Sequence, residues 1–126
     1  MAAIRAAQLG LSAAVIERDR VGGVCLNWGC IPSKALLYSA ELANLFRRGP
    51  EFGIRFKDLE LDLGVAVDRS REIVDRFVSG IETLFKQNKV TLIRGSARLA
   101  GPNTIEVEPG DAVQATNIIV ATGEIG

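Results

Sequence analysis

A chain of 126 residues, 48% hydrophobic and 24% charged, has the makeup of one soluble, globular α/β-sized domain with enough apolar mass for a core. Fifteen Lys and Arg balance fifteen Asp and Glu with no run of like charge, which speaks against nucleic acid or a membrane surface as partner, and no apolar run approaches the roughly 18 residues of a membrane span. The chain holds no histidine, the side chain most used for proton transfer near neutral pH, and its start lacks the pattern of a secretory leader, so it reads as a cytoplasmic protein whose chemistry rests on other groups.

Residues 2–9 read as the end of a helix whose small alanines allow close packing on a sheet, stopped by Gly10 in the usual position after a helix. Ala13-Ala14-Val15-Ile16 then reads as a brief apolar strand, with Glu17 just past its end. An acidic residue at the tip of the second strand of a dinucleotide-binding βαβ unit accepts ribose hydroxyls; a solvated strand-end carboxylate is the plainer alternative.

The two cysteines lie in Gly22-Gly23-Val24-Cys25-Leu26-Asn27-Trp28-Gly29-Cys30-Ile31-Pro32-Ser33-Lys34. A bridge closing so short a loop removes little unfolded-chain entropy, so redox exchange is a better reason for such a pair than stability. Asn27 and Gly29 allow a tight turn, Pro32 suits the first turn of a helix, and Ala35-Leu36-Leu37 are good helix formers. Both sulfurs are therefore expected at a helix entrance, where backbone donors and the helix dipole favour a thiolate and Lys34 adds to this if it folds back. The alternatives are two buried, unconnected cysteines, or a zinc site, for which two sulfurs and no histidine leave the usual four-ligand shell incomplete. No metal site is expected.

A helix is predicted from Pro32 to Arg48, with Leu36, Leu37, Ala40, Ala43 and Phe46 near one face, Arg47 and Arg48 suiting its C-terminal dipole, and Gly49-Pro50 ending it. After the irregular Phe52-Gly53-Ile54, Asp62 is placed to cap a long helix reaching Asn88. Its apolar stripe of Leu63, Val67, Val74, Phe77, Val78, Ile81, Leu84 and Phe85 reads as core, with Arg69, Arg71, Glu72, Asp75, Glu82 and Lys86 as a solvated face without a catalytic role. From Val90 the period becomes strand-like: residues 90–94, 96–100, 104–108, 112–115 and 117–121, with Gly101-Pro102-Asn103 and Pro109-Gly110-Asp111 as turns.

The segment from Gly22 to Leu37 resembles the redox-active disulfide motif of the flavin-dependent pyridine nucleotide-disulfide oxidoreductases, and Ile31-Pro32-Ser33-Lys34-Ala35-Leu36-Leu37 resembles the dihydrolipoyl dehydrogenases among them. Glutathione and mercuric reductases are the near relatives. The resemblance implies that Cys25 and Cys30 are catalytic, Cys25 exchanging with the substrate disulfide and Cys30 lying nearest the flavin in a charge-transfer contact. It implies Lys34 beside the isoalloxazine ring, Glu17 and Arg18 at the adenosine end of FAD, and Gly22, Gly23 and Val24 where the backbone comes close to the cofactor. Residues 90–121 resemble the β-meander inserted in the family's FAD domain, with Ala97 a backbone contact to adenine. Ile118-Ile119-Val120-Ala121-Thr122-Gly123 resembles a second FAD fingerprint, a buried strand delivering Ala121, Thr122 and Gly123 to the cofactor.

The fold class implied is α/β, a Rossmann-like FAD-binding domain with long helices and an inserted meander, of which residues 1–126 form a part. The first strand and its G-x-G-x-x-G turn, which hold the pyrophosphate, are expected to be missing, as are the NAD-binding domain and the dimerisation domain that supplies the family's catalytic His and its Glu partner. Glu124-Ile125-Gly126 departs from the usual continuation and is expected to mark a truncation. The implied activity is electron transfer from dihydrolipoamide through the two cysteines to FAD and then NAD+. The implied partners are the lipoyl group of a 2-oxo acid dehydrogenase complex and a homodimer mate. A glutathione- or mercury-type reductase, a non-catalytic remnant, and a flavin-free thiol carrier remain as alternatives.

Overall fold

Gly10 ends the first helix, α1 (Ala2–Gln8), as its place in the sequence predicts. Its φ is +85°, a left-handed value, and the turn is closed by N–H groups of Gly10 and Leu11 donating to the carbonyls of Ala7 at 2.9 Å and Ala6 at 3.1 Å, a Schellman closure. In this computed structural model, which describes residues 1–123, the chain divides into two units. One combines Met1–Gly23 with the chain from Val78 onward; the other is the continuous segment Val24–Phe77.

In the first unit, β1 (Ala14–Glu17) runs parallel to β2 (Thr91–Arg94), with Ala14 opposite Thr91 and Glu17 opposite Arg94. Between them in sequence stands α4 (Leu63–Gln87), whose last turns belong to this unit. It ends in a second Schellman closure, with Lys89 donating to Lys86 at 3.1 Å and Val90 to Phe85 at 2.9 Å. Lys89 takes the left-handed position here, at φ +56°. The closure brings Phe85 and Val90 into one buried cluster with Ile4 and Val21, and Ala3, Ala7, Ala13, Val15, Val78, Ile81 and Leu92 pack on it. The small residues of α1 thus do what their size suggests. A helix of seven residues has little stability of its own and is held by this burial.

Beyond β2 the predicted meander forms: β3 (Ser96–Leu99), β4 (Thr104–Glu108) and β5 (Val113–Gln114) make an antiparallel sheet in the order β3-β4-β5. Val107 of β4 is its buried residue, and Arg98 pairs across the strands with Glu106. The turn at Gly101-Pro102-Asn103 is fastened by Asn103, whose side-chain amide donates to the carbonyls of Ala115 at 2.8 Å and Thr116 at 2.9 Å.

In the second unit, α2 (Gly23–Asn27) is a single turn, starting at the unit boundary, and α3 (Cys30–Arg48) follows after two residues. A 3-10 turn, Gly49–Phe52, carries Pro50 and closes on left-handed Gly53. Arg48 pairs with Glu51 at 3.0 Å, and Phe46 meets Phe56 edge to face at 5.6 Å. Asp62 caps α4 as expected, its Oδ1 accepting from the Val65 N–H at 3.1 Å.

Three expectations are corrected. Residues 117–121 form no strand: Ile119 and Val120 are 74% and 66% exposed. A β-branched run favours extended chain, but among the described residues no strand lies beside it to complete a ladder. The buried side of α3 is Pro32, Ala35 and Ala43, the small residues, whereas Leu37 is 67% exposed and Phe46 is turned toward Phe56. On α4, Leu63 and Phe77 are exposed, and Ser70 is buried beside Val74, its hydroxyl satisfied by the Val67 carbonyl at 2.7 Å. Glu124-Ile125-Gly126, read as a departure from the usual continuation, lies outside the described residues.

Candidate functional site

Cys25 is the middle residue of α2 and Cys30 the first residue of α3, and they are joined in a disulfide with Cα atoms 4.8 Å apart. Both cysteines are exposed, so the alternative of two buried, unconnected thiols is set aside. Gly29, the N-cap of α3, eases the closure: a Cβ there would lie 3.2 Å from the Cys25 Cα, so the Cys25 backbone would have to give by a few tenths of an ångström. The Trp28 N–H donates to the Val24 carbonyl at 2.8 Å, which completes the α2 turn, and the Ser33 N–H donates to the Gly29 carbonyl at 3.1 Å, which starts α3. No side chain caps α3, and Pro32 in its first turn has no N–H to leave unpaired. The Cys30 sulfur therefore sits at the positive end of a helix of 19 residues. Lys34 follows on the same helix, exposed.

Two α4 guanidiniums stay exposed, as the sequence pattern predicts, and also reach the helices around the disulfide. Arg71 Nη1 donates to the Asn27 carbonyl at 3.3 Å, and its Cζ lies 5.2 Å from the centre of the Trp28 ring. Arg69 lies 5.9 Å from the centre of the Tyr38 ring on α3. The signal was present for Arg71: four residues after Val67 and three before Val74, it interrupts the apolar stripe instead of standing opposite it.

The remaining candidates, apart from Val24 at the start of the second unit, fall in the first unit. Glu17 closes β1, and its Oε1 accepts from the Asp19 N–H at 2.9 Å, shaping the turn that follows. Arg18 is exposed in that turn. Arg94, opposite Glu17 on β2, fixes the same turn by donating to the Asp19 carbonyl, and pairs with Glu82 at 2.6 Å. Gly95 donates to the Glu17 carbonyl at 3.2 Å, so the Gly95-Ser96-Ala97 backbone begins beside the carboxyl end of β1. Carboxyl ends of parallel strands are where open α/β sheets take their ligands. The structure thus places Glu17, at the carboxyl end of the parallel β1-β2 sheet, close to the start of β3, which carries Ala97 in the separate antiparallel sheet.

Gly22 and Gly23 have φ values of +113° and +76°, and nothing lies within 4 Å of a Cβ built at Gly23. Val24 is exposed beside them. An open backbone of this kind suits the close approach of a flat cofactor. Ala121, Thr122 and Gly123 lie in exposed chain outside any strand. Among the described residues, no group of three or more acidic, His or Cys side chains could hold a metal, and no helix is long and apolar enough to cross a membrane.

Residues 1–125 match the family described as pyridine nucleotide-disulphide oxidoreductase. The chain is 49% identical over 131 aligned residues to the dihydrolipoyl dehydrogenase of Mycobacterium leprae, covering 98% of this chain and 28% of that protein. It is 43% identical to that of Zymomonas mobilis, over 98% of this chain and 27% of the relative, and 40% identical to that of Bacillus subtilis, over 98% and 28%. The chain therefore spans little more than a quarter of the length of the curated relatives it matches. With an exposed Cys25–Cys30 disulfide at a helix entrance and a family match along nearly its whole length, this chain belongs to the pyridine nucleotide-disulphide oxidoreductases.

Proposed function

We propose that this chain is the disulfide-bearing part of the FAD-binding domain of a dihydrolipoyl dehydrogenase, with Cys25 and Cys30 as its catalytic pair. The observation that carries the reading is the exposed disulfide whose second sulfur lies at the N-terminus of α3. A thiolate of dihydrolipoamide attacks the Cys25 sulfur, the Cys25–Cys30 bond breaks, and Cys30 leaves as a thiolate favoured by the helix dipole. The second substrate thiolate then attacks its own mixed disulfide, which closes lipoamide and releases Cys25 as a thiolate. One substrate disulfide has formed and one protein disulfide has opened, so two electrons now reside on the cysteines.

In this reading Glu17 and Arg18 hold the adenosine ribose of FAD, Ala97 meets its adenine through the main chain, and Gly22, Gly23 and Val24 give backbone access. Lys34 lies beside the flavin, and Ala121, Thr122 and Gly123 contact it once their segment is paired. The two positive-φ glycines, with open space beside Gly23, and the strand-end carboxylate fit such a group. Bound FAD supplies the acceptor for the two electrons, with NAD+ beyond it. The lipoyl group of a 2-oxo acid dehydrogenase complex is then the partner, and a second copy of the subunit the mate.

The test is a chimera in which this chain replaces the matching segment of the Mycobacterium leprae dihydrolipoyl dehydrogenase. A yellow, folded chimera should reduce NAD+ with dihydrolipoamide, and Cys25→Ser or Cys30→Ser should abolish this. A folded chimera that is inactive with dihydrolipoamide but turns over glutathione disulfide or Hg2+ with NADPH would overturn the assignment in favour of the reductase relatives.

A further inference from the structure

Arg71 makes two contacts, and both fall inside the loop that the disulfide closes. Its Nη1 donates to the carbonyl of Asn27 and its Cζ lies over the Trp28 ring, 5.2 Å from the centre; these are the two residues midway between Cys25 and Cys30. Asn27 is 2% exposed and Trp28 is 58% exposed, so the loop is seated in the protein on one residue and meets the guanidinium at the edge of solvent on the next. Both contacts belong to the same unit as the disulfide.

We propose that Arg71 is a positioning residue for the Cys25–Cys30 pair: by clamping Asn27-Trp28 it holds the loop in its closed form and keeps the disulfide harder to reduce. The proposal rests on reading the pair as redox-active. When the bond opens, the residues between the sulfurs gain freedom. Contacts made in the closed loop shift the equilibrium by whatever part of them is lost on opening. A guanidinium is suited to the task because its flat, delocalised ion stacks on an indole while its edge donates to a carbonyl; an ammonium offers no plane to stack. Gly29 serves the same closed form by letting α3 start against the Cys25 backbone.

The test is a redox titration of the chain against mixtures of reduced and oxidised dithiothreitol. Two dithiothreitol thiols become one cyclic disulfide while the Cys25–Cys30 bond becomes two thiols, so two electrons and two protons are exchanged and nothing else is consumed. The state is read by alkylation and mass, and by emission of Trp28, the single tryptophan of the chain. Arg71→Met keeps the aliphatic bulk and helix propensity but loses the plane and the donors. It should favour the dithiol by about threefold to thirtyfold, a potential about 15 to 45 mV less negative. Arg71→Lys should fall between, and Trp28→Leu should shift the equilibrium in the same direction and add little in the Arg71→Met background. Arg69→Met, which loses the ring contact to Tyr38 outside the loop, should leave the potential unchanged.

An unshifted potential in folded Arg71→Met overturns the proposal, as does an equal shift in Arg69→Met, which would mark general loosening of α4. If Arg71→Met fails to fold, unshifted Arg71→Lys and Trp28→Leu overturn it instead. A disulfide that cannot be cycled in the unaltered chain has a different meaning: the redox reading fails, and the clamp with it.

Discussion

The two units of the chain are built on opposite principles. The sheet unit joins residues 1–23 to residues from 78 onward, so β1 cannot pair with β2 until more than half the chain has been laid between them. The helical unit is the continuous segment Val24–Phe77, in which caps, the Arg48–Glu51 pair, a one-turn helix and a disulfide of sequence separation 5 join near neighbours, and Arg69 and Arg71 add contacts to Tyr38 and to Asn27-Trp28. The candidate binding groups at the end of β1 depend on strand pairing across most of the chain, whereas the sulfur pair is closed by near neighbours in sequence and tuned within one unit. Damage to one should therefore leave a different residue of function from damage to the other.

The sharpest way to break the sheet unit alone is Gly95→Ala. A Cβ there would lie 2.7 Å from both the Glu108 carbonyl oxygen and Val107 Cγ1, at a φ of +153°, so main chain must shift. The expected cost is about 3 kcal/mol, read as a lower urea midpoint, with the thiol chemistry of Cys25 and Cys30 retained. Reduction of the disulfide strikes the other unit. A loop this short should contribute about 2 kcal/mol, so the reduced chain should loosen around Trp28 while amide exchange in β1 and β2 stays slow. The smallest effect sharpens the contrast from the stabilising side: Lys89→Gly relieves a left-handed lysine at the end of α4 and should raise the thermal midpoint by about 0.5 kcal/mol of stability.

The sequence made the local features legible and lost those set by distant partners. Gly10, Asp62 and the Gly101-Pro102-Asn103 turn act where their chemistry puts them, because a cap or a turn is decided within a few residues. The cysteine motif is equally local: Cys30 starts α3 beside Gly29 and Pro32, although Cys25 lies in α2, a helical turn the sequence did not suggest. The strand expected at 117–121 failed because its apolar, β-branched pattern states a preference for extended chain without supplying a neighbour. The apolar face of α3 was read correctly at Ala43 but not at Leu37 and Phe46, which are exposed, while the small Pro32 and Ala35 are buried. Arg71 is exposed, as its charge suggests, but its partners, the Trp28 ring and the Asn27 carbonyl 44 residues away, could not be read from sequence because they are set by tertiary placement.

The central claim, that Cys25 and Cys30 form a reversible dithiol at a helix entrance, is tested most directly by counting alkylatable thiols through one cycle of reduction by dihydrolipoamide and reoxidation by lipoamide. The account predicts none before, two after reduction and none after reoxidation, with the chain monomeric and its Trp28 emission returning to the starting value. A disulfide that resists dihydrolipoamide in the folded chain, or two thiols that fail to re-form the bond within one molecule, would contradict it.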